Sequence, residues 1–166
     1  ESQAFTIRYP RGAGVMPEWK LPMQEIKIGQ GRKVVDGTDI AILTIGHIGN
    51  YAEQACEKLK EDGVNAALFD MRFVKPLDEK LLHEIFSKFD KVITVEDGCL
   101  MGGFGSAVLE FMAENEYSAK VKRLGIPDKI IEHGEQSQLH KECGFDAQGI
   151  YTNALQIMER ALSPNI

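Results

Sequence analysis

The chain has 166 residues, 43% hydrophobic and 27% charged, with a net charge of −6. That size and balance fit one globular domain with a short appendage, and Lys and Arg scattered among a carboxylate excess exclude a nucleic-acid binder. No apolar run approaches the roughly 20 residues that cross a bilayer, and no basic-then-apolar leader opens the chain, so the expected setting is the cytoplasm without a membrane partner.

The first residues differ from the rest. Phe5–Tyr9 is a β-prone run stopped by Pro10, and the stretch from Arg11 to Pro22 holds two glycines, two prolines and the only tryptophan. A lone strand cannot be a domain. Residues 1–12 are therefore expected to end a preceding domain, 13–25 to link, and 26–166 to fold as a unit. Ile26–Val35, broken by Gly29 and Gly31, reads as an edge or bulged strand. Ile40–Ile45 is an apolar run between Asp39 and Gly46, as in a strand covered on both faces. Asn50 reads as an N-cap, with Ala52, Ala55, Cys56 and Leu59 at helical spacing and Gly63 past the end. Asn65–Asp70 is the next strand. Asp78 caps a helix carrying Leu81, Leu82, Ile85, Phe86 and Phe89. Val92–Val95 and Lys120–Gly125 are further strands, Gly105–Ala113 is the helix between them, and Gln136–Glu142 and Asp146–Ala161 are the last helices. This alternation predicts a mostly parallel sheet with helices on both faces. Ligands of such sheets bind beyond the carboxyl ends of the strands, here Gly46–Asn50, Asp70–Pro76 and Glu96–Gly105.

Each candidate motif has a plain structural alternative. In Met101-Gly102-Gly103-Phe104-Gly105-Ser106, free amides at a helix start could cradle a phosphate. The spacing matches no nucleotide-binding pattern, and close helix–strand packing explains Gly102, Gly103 and Gly105 as well. Asp70, Arg72, Lys75 and Asp78 put two cations between two carboxylates at a strand end, as in a salt-bridged end or an interdomain contact. His133, in Glu132-His133-Gly134, lacks a nucleophile or metal partner nearby in sequence and reads as a hydrogen-bonded structural histidine, as does His47. His83 and His140 read as solvated helix residues. Cys56, Cys99 and Cys143 form no paired-Cys motif and read as free thiols in or near a core, in a reducing compartment. Arg8 and Arg11 flank Tyr9-Pro10 at the proposed domain junction. Arginine suits bidentate phosphate binding, and an interdomain salt bridge is the alternative.

Several of these stretches together resemble the 1-deoxy-D-xylulose-5-phosphate synthase family. They are Ile7-Arg8-Tyr9-Pro10-Arg11-Gly12, then Asp70 through Asp78 (DMRFVKPLD), and Val95-Glu96 leading to Gly102-Gly103-Phe104-Gly105-Ser106. Gly125-Ile126-Pro127-Asp128, Glu132-His133-Gly134 and Gly144 through Ile150 follow in order. The resemblance implies a transketolase C-terminal-like domain: a three-layer α/β/α sandwich around a five-stranded, mostly parallel sheet whose first strand runs antiparallel. It implies an enzyme that, as a whole, joins pyruvate and glyceraldehyde 3-phosphate using thiamine diphosphate and Mg2+, as a homodimer. The family's Gly-Asp-Gly motif and its following Asn have no counterpart here, since Glu96-Asp97-Gly98 lacks the first glycine. No catalytic, cofactor or metal residue is therefore expected in this stretch, whose partners would be the preceding domains of its own chain. Arg11 alone carries over, against the phosphate of the acceptor substrate, and Arg8 would serve structure. The alternatives are a piece of another transketolase or 2-oxoacid dehydrogenase, or a stand-alone effector- or nucleotide-binding module built on Gly102–Gly105.

Overall fold

The computed structural model describes Gly14 and residues 22–159. Five strands, β1 (Arg32–Val35), β2 (Ile40–Ile45), β3 (Ala66–Asp70), β4 (Lys91–Cys99) and β5 (Lys120–Ile126), form one sheet in the order β1-β3-β2-β4-β5. β1 is antiparallel to β3, and the other pairs are parallel. The helices are α1 (Gly49–Glu61), α2 (Glu79–Phe86), α3 (Phe104–Glu114), α4 (Gln136–Cys143) and α5 (Ala147–Ile157).

The side-chain period of two explains the layers. Ile40 and Ile42 of β2 face Ala52, Ala55 and Leu59 of α1 and Ile150, Ala154 and Leu155 of α5. Ala41 and Leu43 face the opposite layer, with Leu82, Ile85 and Phe86 of α2 and Phe104, Val108 and Phe111 of α3. β2 lies between β3 and β4 and is covered twice, so its run is apolar with no polar alternation. Each fully buried Ile or Leu there contributes about 1.5–3 kcal/mol relative to exposure.

Several elements depart from the sequence reading; α2 ends at Phe86, before Phe89, and α5 at Ile157 rather than at Ala161. β1 is shorter than Ile26–Val35, because Gly31 N is drawn to Asp78 Oδ2 at 2.9 Å and pairing begins only at Arg32↔Asp70; Ile26 and Ile28 are exposed. Asn50 is not an N-cap: a 3-10 turn, Gly46–Ile48, runs directly into α1, whose cap position is Ile48 with no capping side chain. β4 extends past Val95 to Cys99, with its register against β5 shifted between those residues. The other starts follow from local chemistry. Asp78 Oδ1 accepts from Leu81 N at 2.9 Å at the start of α2, and Asp146 Oδ1 accepts from Gly149 N at 2.8 Å at the start of α5, each satisfying an otherwise orphaned helix amide.

Candidate functional site

The carboxyl ends of β2, β3 and β4 form one surface, and the three stretches singled out above lie there. At the end of β3, Asp70 accepts from Arg32 Nε at 3.0 Å and from Arg72 N at 3.2 Å, with Arg72 Nε at 3.7 Å. Arg72 itself takes a left-handed backbone, φ 57°. Asp78 joins the start of α2 to Gly31 through its two oxygens. Lys75 is exposed and makes no ion pair among the described residues.

At the end of β4 the glycine-rich turn is filled from within the protein. Glu96 is 4% exposed, and its Oε2 and Oε1 accept from Phe104 N and Gly105 N, each at 2.8 Å. A carboxylate at a helix N-terminus meets both the free amides and the positive end of the helix dipole. The glycines admit it: a Cβ on Gly103 would strike Glu96 Oε2 and the Cys99 carbonyl, and one on Gly105 would lie 2.5 Å from Thr94 Oγ1. Gly102 supplies a turn at φ 72°. Arg123 Nη1 holds the turn from below, donating to the Leu100 carbonyl and, at 2.8 Å, to Ser106 Oγ. The amides that could have cradled a phosphate are therefore already bound to an internal anion.

Beside Glu96, three residues from separate elements converge. Asp97, near the carboxyl end of β4, has its Oδ2 3.6 Å from His47 Nε2 and 3.8 Å from His140 Nε2. His47 stands in the 3-10 turn after β2, and His140 in α4. One donor atom from each of the three lies within 4.8 Å of the other two. His140 is the one residue that α4 buries, at 5% exposure, and it packs against Phe145 and the edge of Tyr51. His140 is thus not the solvated residue that its helix suggests. His47 Nε2 and His140 Nδ1 are both buried with no hydrogen-bond partner, so His47 is not hydrogen-bonded at that nitrogen as expected. Burial, foremost, holds the pKa of His140 below the usual imidazole value; Asp97 pulls it back up and His47 pushes it down. Asp97 stands between two clefts. One of about 970 Å³ includes His47, Val74, Glu96 and Met101 in its walls, and one of about 870 Å³ includes Ile131, His133, Leu139 and His140.

His133 is exposed on the second cleft, without a hydrogen bond among the described residues, in place of the hydrogen-bonded histidine expected. All three thiols are free. Cys56 is buried, its pKa pushed up to about 12 by burial and then by Glu53 and Glu57. Cys143 is half-buried, while Cys99 is exposed and belongs to no core. Arg8 and Arg11 lie outside the described residues. Asp97 and His140 are the site residues that sequence reasoning missed. Leu139, His140 and Cys143 share one face of α4, and that stripe was a readable sign that His140 turns inward.

A family model described as transketolase, C-terminal domain, matches residues 29–150. The chain is 70% identical over 146 residues to 1-deoxy-D-xylulose-5-phosphate synthase of Cytophaga hutchinsonii and 44% identical over 148 residues to that of Aquifex aeolicus; each match covers 88% of this chain and 23% of the relative. The chain therefore spans less than a quarter of the length of these curated relatives. Among solved structures, a split-gene transketolase described as an inactive beta4 tetramer aligns with TM-score 0.78 at 29% identity, over 86% of this chain and 46% of that one. A transketolase from Campylobacter jejuni, at TM-score 0.55 and 17% identity over 77% of this chain and 18% of that one, shares the fold.

Proposed function

The chain belongs to the transketolase C-terminal domain family, and we propose that it is the non-catalytic C-terminal domain of a 1-deoxy-D-xylulose-5-phosphate synthase. The observation that carries this reading is the 70% identity to the Cytophaga hutchinsonii enzyme of that name. In the proposed whole enzyme, pyruvate is decarboxylated with thiamine diphosphate and Mg2+, and the two-carbon unit is joined to glyceraldehyde 3-phosphate. The described residues do not fit that cofactor. Among them, the glycine-rich amide nest at the strand ends already holds the Glu96 carboxylate, and a diphosphate would meet that negative charge rather than free donors. No step of the reaction is therefore assigned to this domain.

Its role is assembly, with the preceding domains of its own chain and with a second copy in a homodimer. Val74 and Met101, 43% and 69% exposed on the same cleft as His47, offer apolar surface at the strand ends. Asp70, Arg72, Lys75, Asp78, Gly102, Gly103 and Gly105 shape or present that end of the sheet, His133 presents the neighbouring cleft, and Arg8, outside the described residues, is assigned a structural role. Residues 1–12 are the tail of the pyrimidine-binding domain, 13–25 the linker and 26–166 the C-terminal domain. In that tail Arg11 holds the phosphate of glyceraldehyde 3-phosphate.

The test is steady-state kinetics of the full-length protein. A charge-assisted hydrogen bond contributes roughly 1.5–3 kcal/mol, so Arg11→Ala raises KM for glyceraldehyde 3-phosphate about 10–150-fold and leaves pyruvate binding nearly unchanged. Arg11→Lys recovers part of the loss, because a point charge cannot reproduce the planar fork. Absence of pyruvate-dependent CO2 release from wild-type protein supplied with glyceraldehyde 3-phosphate would refute the activity itself. A KM within about twofold of wild type in Arg11→Ala would refute the residue assignment.

A further inference from the structure

We propose that His47, Asp97 and His140 form a binding site for one divalent transition-metal ion of the zinc class, at the carboxyl ends of β2 and β4 and closed over by α4. The donor set comes first. Two imidazoles and one carboxylate are a common zinc ligand group, with the fourth position left to water or a ligand, whereas Mg2+ and Ca2+ select oxygen donors. No metal ligand was expected from the sequence, because these residues come from three separated elements.

The distances favour coordination over hydrogen bonding. Both histidines direct Nε2 at the same oxygen, Asp97 Oδ2, at 3.6 and 3.8 Å, too long for a hydrogen bond. Donors around a tetrahedral zinc with bonds of 2.0–2.1 Å stand about 3.3–3.5 Å from one another. The two measured separations are close to the edges of such a polyhedron. With all three donors inside 4.8 Å, side-chain adjustments of about 1 Å close the set to those values.

Burial gives the second, independent reason. A buried polar atom without a partner is destabilising, and His47 Nε2, one of the converging donors, is such an atom. α4 docks on the sheet through His140, where an aliphatic residue would seal the contact without desolvating an imidazole. An ion at Asp97 gives both observations a cause. Asp97 keeps 29% of its side-chain surface between the two clefts, which leaves an entry path and an open coordination position.

The synthase reading leaves these three residues without a role, so the metal site stands or falls independently of it. The full-length protein is stripped with a chelator, returned to buffer containing excess Mg2+ to fill oxygen-donor sites, and titrated with ZnCl2 by calorimetry. One zinc per chain should bind with a Kd below about 1 µM. His47→Gln, Asp97→Asn and His140→Gln should each weaken that binding about 100-fold or more, since even outer-shell changes at metal sites cost 10–100-fold. Co2+ in place of Zn2+ should give a visible d–d absorption that disappears in His47→Gln. Should His140→Gln unfold, the two partly exposed positions decide the matter, and circular dichroism shows whether they remain folded. Absence of zinc binding by the wild type, or zinc binding that survives both His47→Gln and Asp97→Asn, overturns the proposal.

Discussion

The end of β3 and the end of β4 lie at the same end of the sheet, with β2 between them, yet they treat their polar groups differently. After β3, both carboxylates are fully engaged in holding the fold. Asp70 fixes Arg32 and the turn at Arg72, and Asp78 ties α2 to the start of β1. At β4, Glu96 is equally committed, to the first amides of α3. Its neighbour Asp97 stands near two histidines at distances that make no hydrogen bond. Alternation along a strand separates the two acids, sending one into the helix layer and the other to the open end of the sheet. A motif rich in charge and glycine can thus be finished architecture, while the residue beside it is left with unused bonding capacity.

Several substitutions test this contrast, from the largest effect to the smallest. Glu96→Ala should cost about 2–6 kcal/mol in urea unfolding, because it strands two buried amides, each worth about 1–3 kcal/mol. Gly103→Ala should cost about 3 kcal/mol or more, since its Cβ would collide with Glu96 and the Cys99 carbonyl. Were the turn instead an open phosphate cradle, both changes would be mild and phosphate would shift the midpoint of unfolding. Asp78→Ala removes a helix cap and the Gly31 bond, and should lower stability by about 2–3 kcal/mol in the same measurement. Arg32→Ala breaks an ion pair whose arginine side chain is 59% exposed, so its effect should stay below about 1 kcal/mol and fade in high salt. In metal-free protein, Asp97→Asn should change stability by less than about 0.5 kcal/mol, far less than Glu96→Ala next to it. A large loss at Asp97 without metal would mean that the end of β4 is as fully committed as the end of β3.

Much of the architecture was legible because it rests on short-range periodicity. Ile40–Ile45 had to be a strand covered on both faces, and the spacing of Ala52, Ala55, Cys56 and Leu59 had to be a helix with one buried side. Asp78 was legible as a cap for the same reason: a carboxylate three residues before an amide that needs an acceptor is a local relationship. The resemblance carried in DMRFVKPLD and Gly-Gly-Phe-Gly-Ser supplied the antiparallel first strand, which periodicity alone does not give. The end of β4 was not legible. Hydrophobicity stops at Val95 although pairing continues to Cys99, because buried Glu96 is compensated by α3 amides, partners that exist only once the helix is docked.

What the chain determined by itself was therefore the pattern of strands, helices, turns and caps, all set by neighbours within a few positions. Tertiary structure alone decided which polar groups would meet. His47, Asp97 and His140 lie on a turn, a strand and a helix far apart in sequence, and each has an ordinary local reading. Only the parallel order of β2 and β4, with α4 folded across their ends, brings their donor atoms within 4.8 Å. Periodicity reports which face a residue occupies, whereas the chemistry of a site depends on the distance between residues that share no local signal.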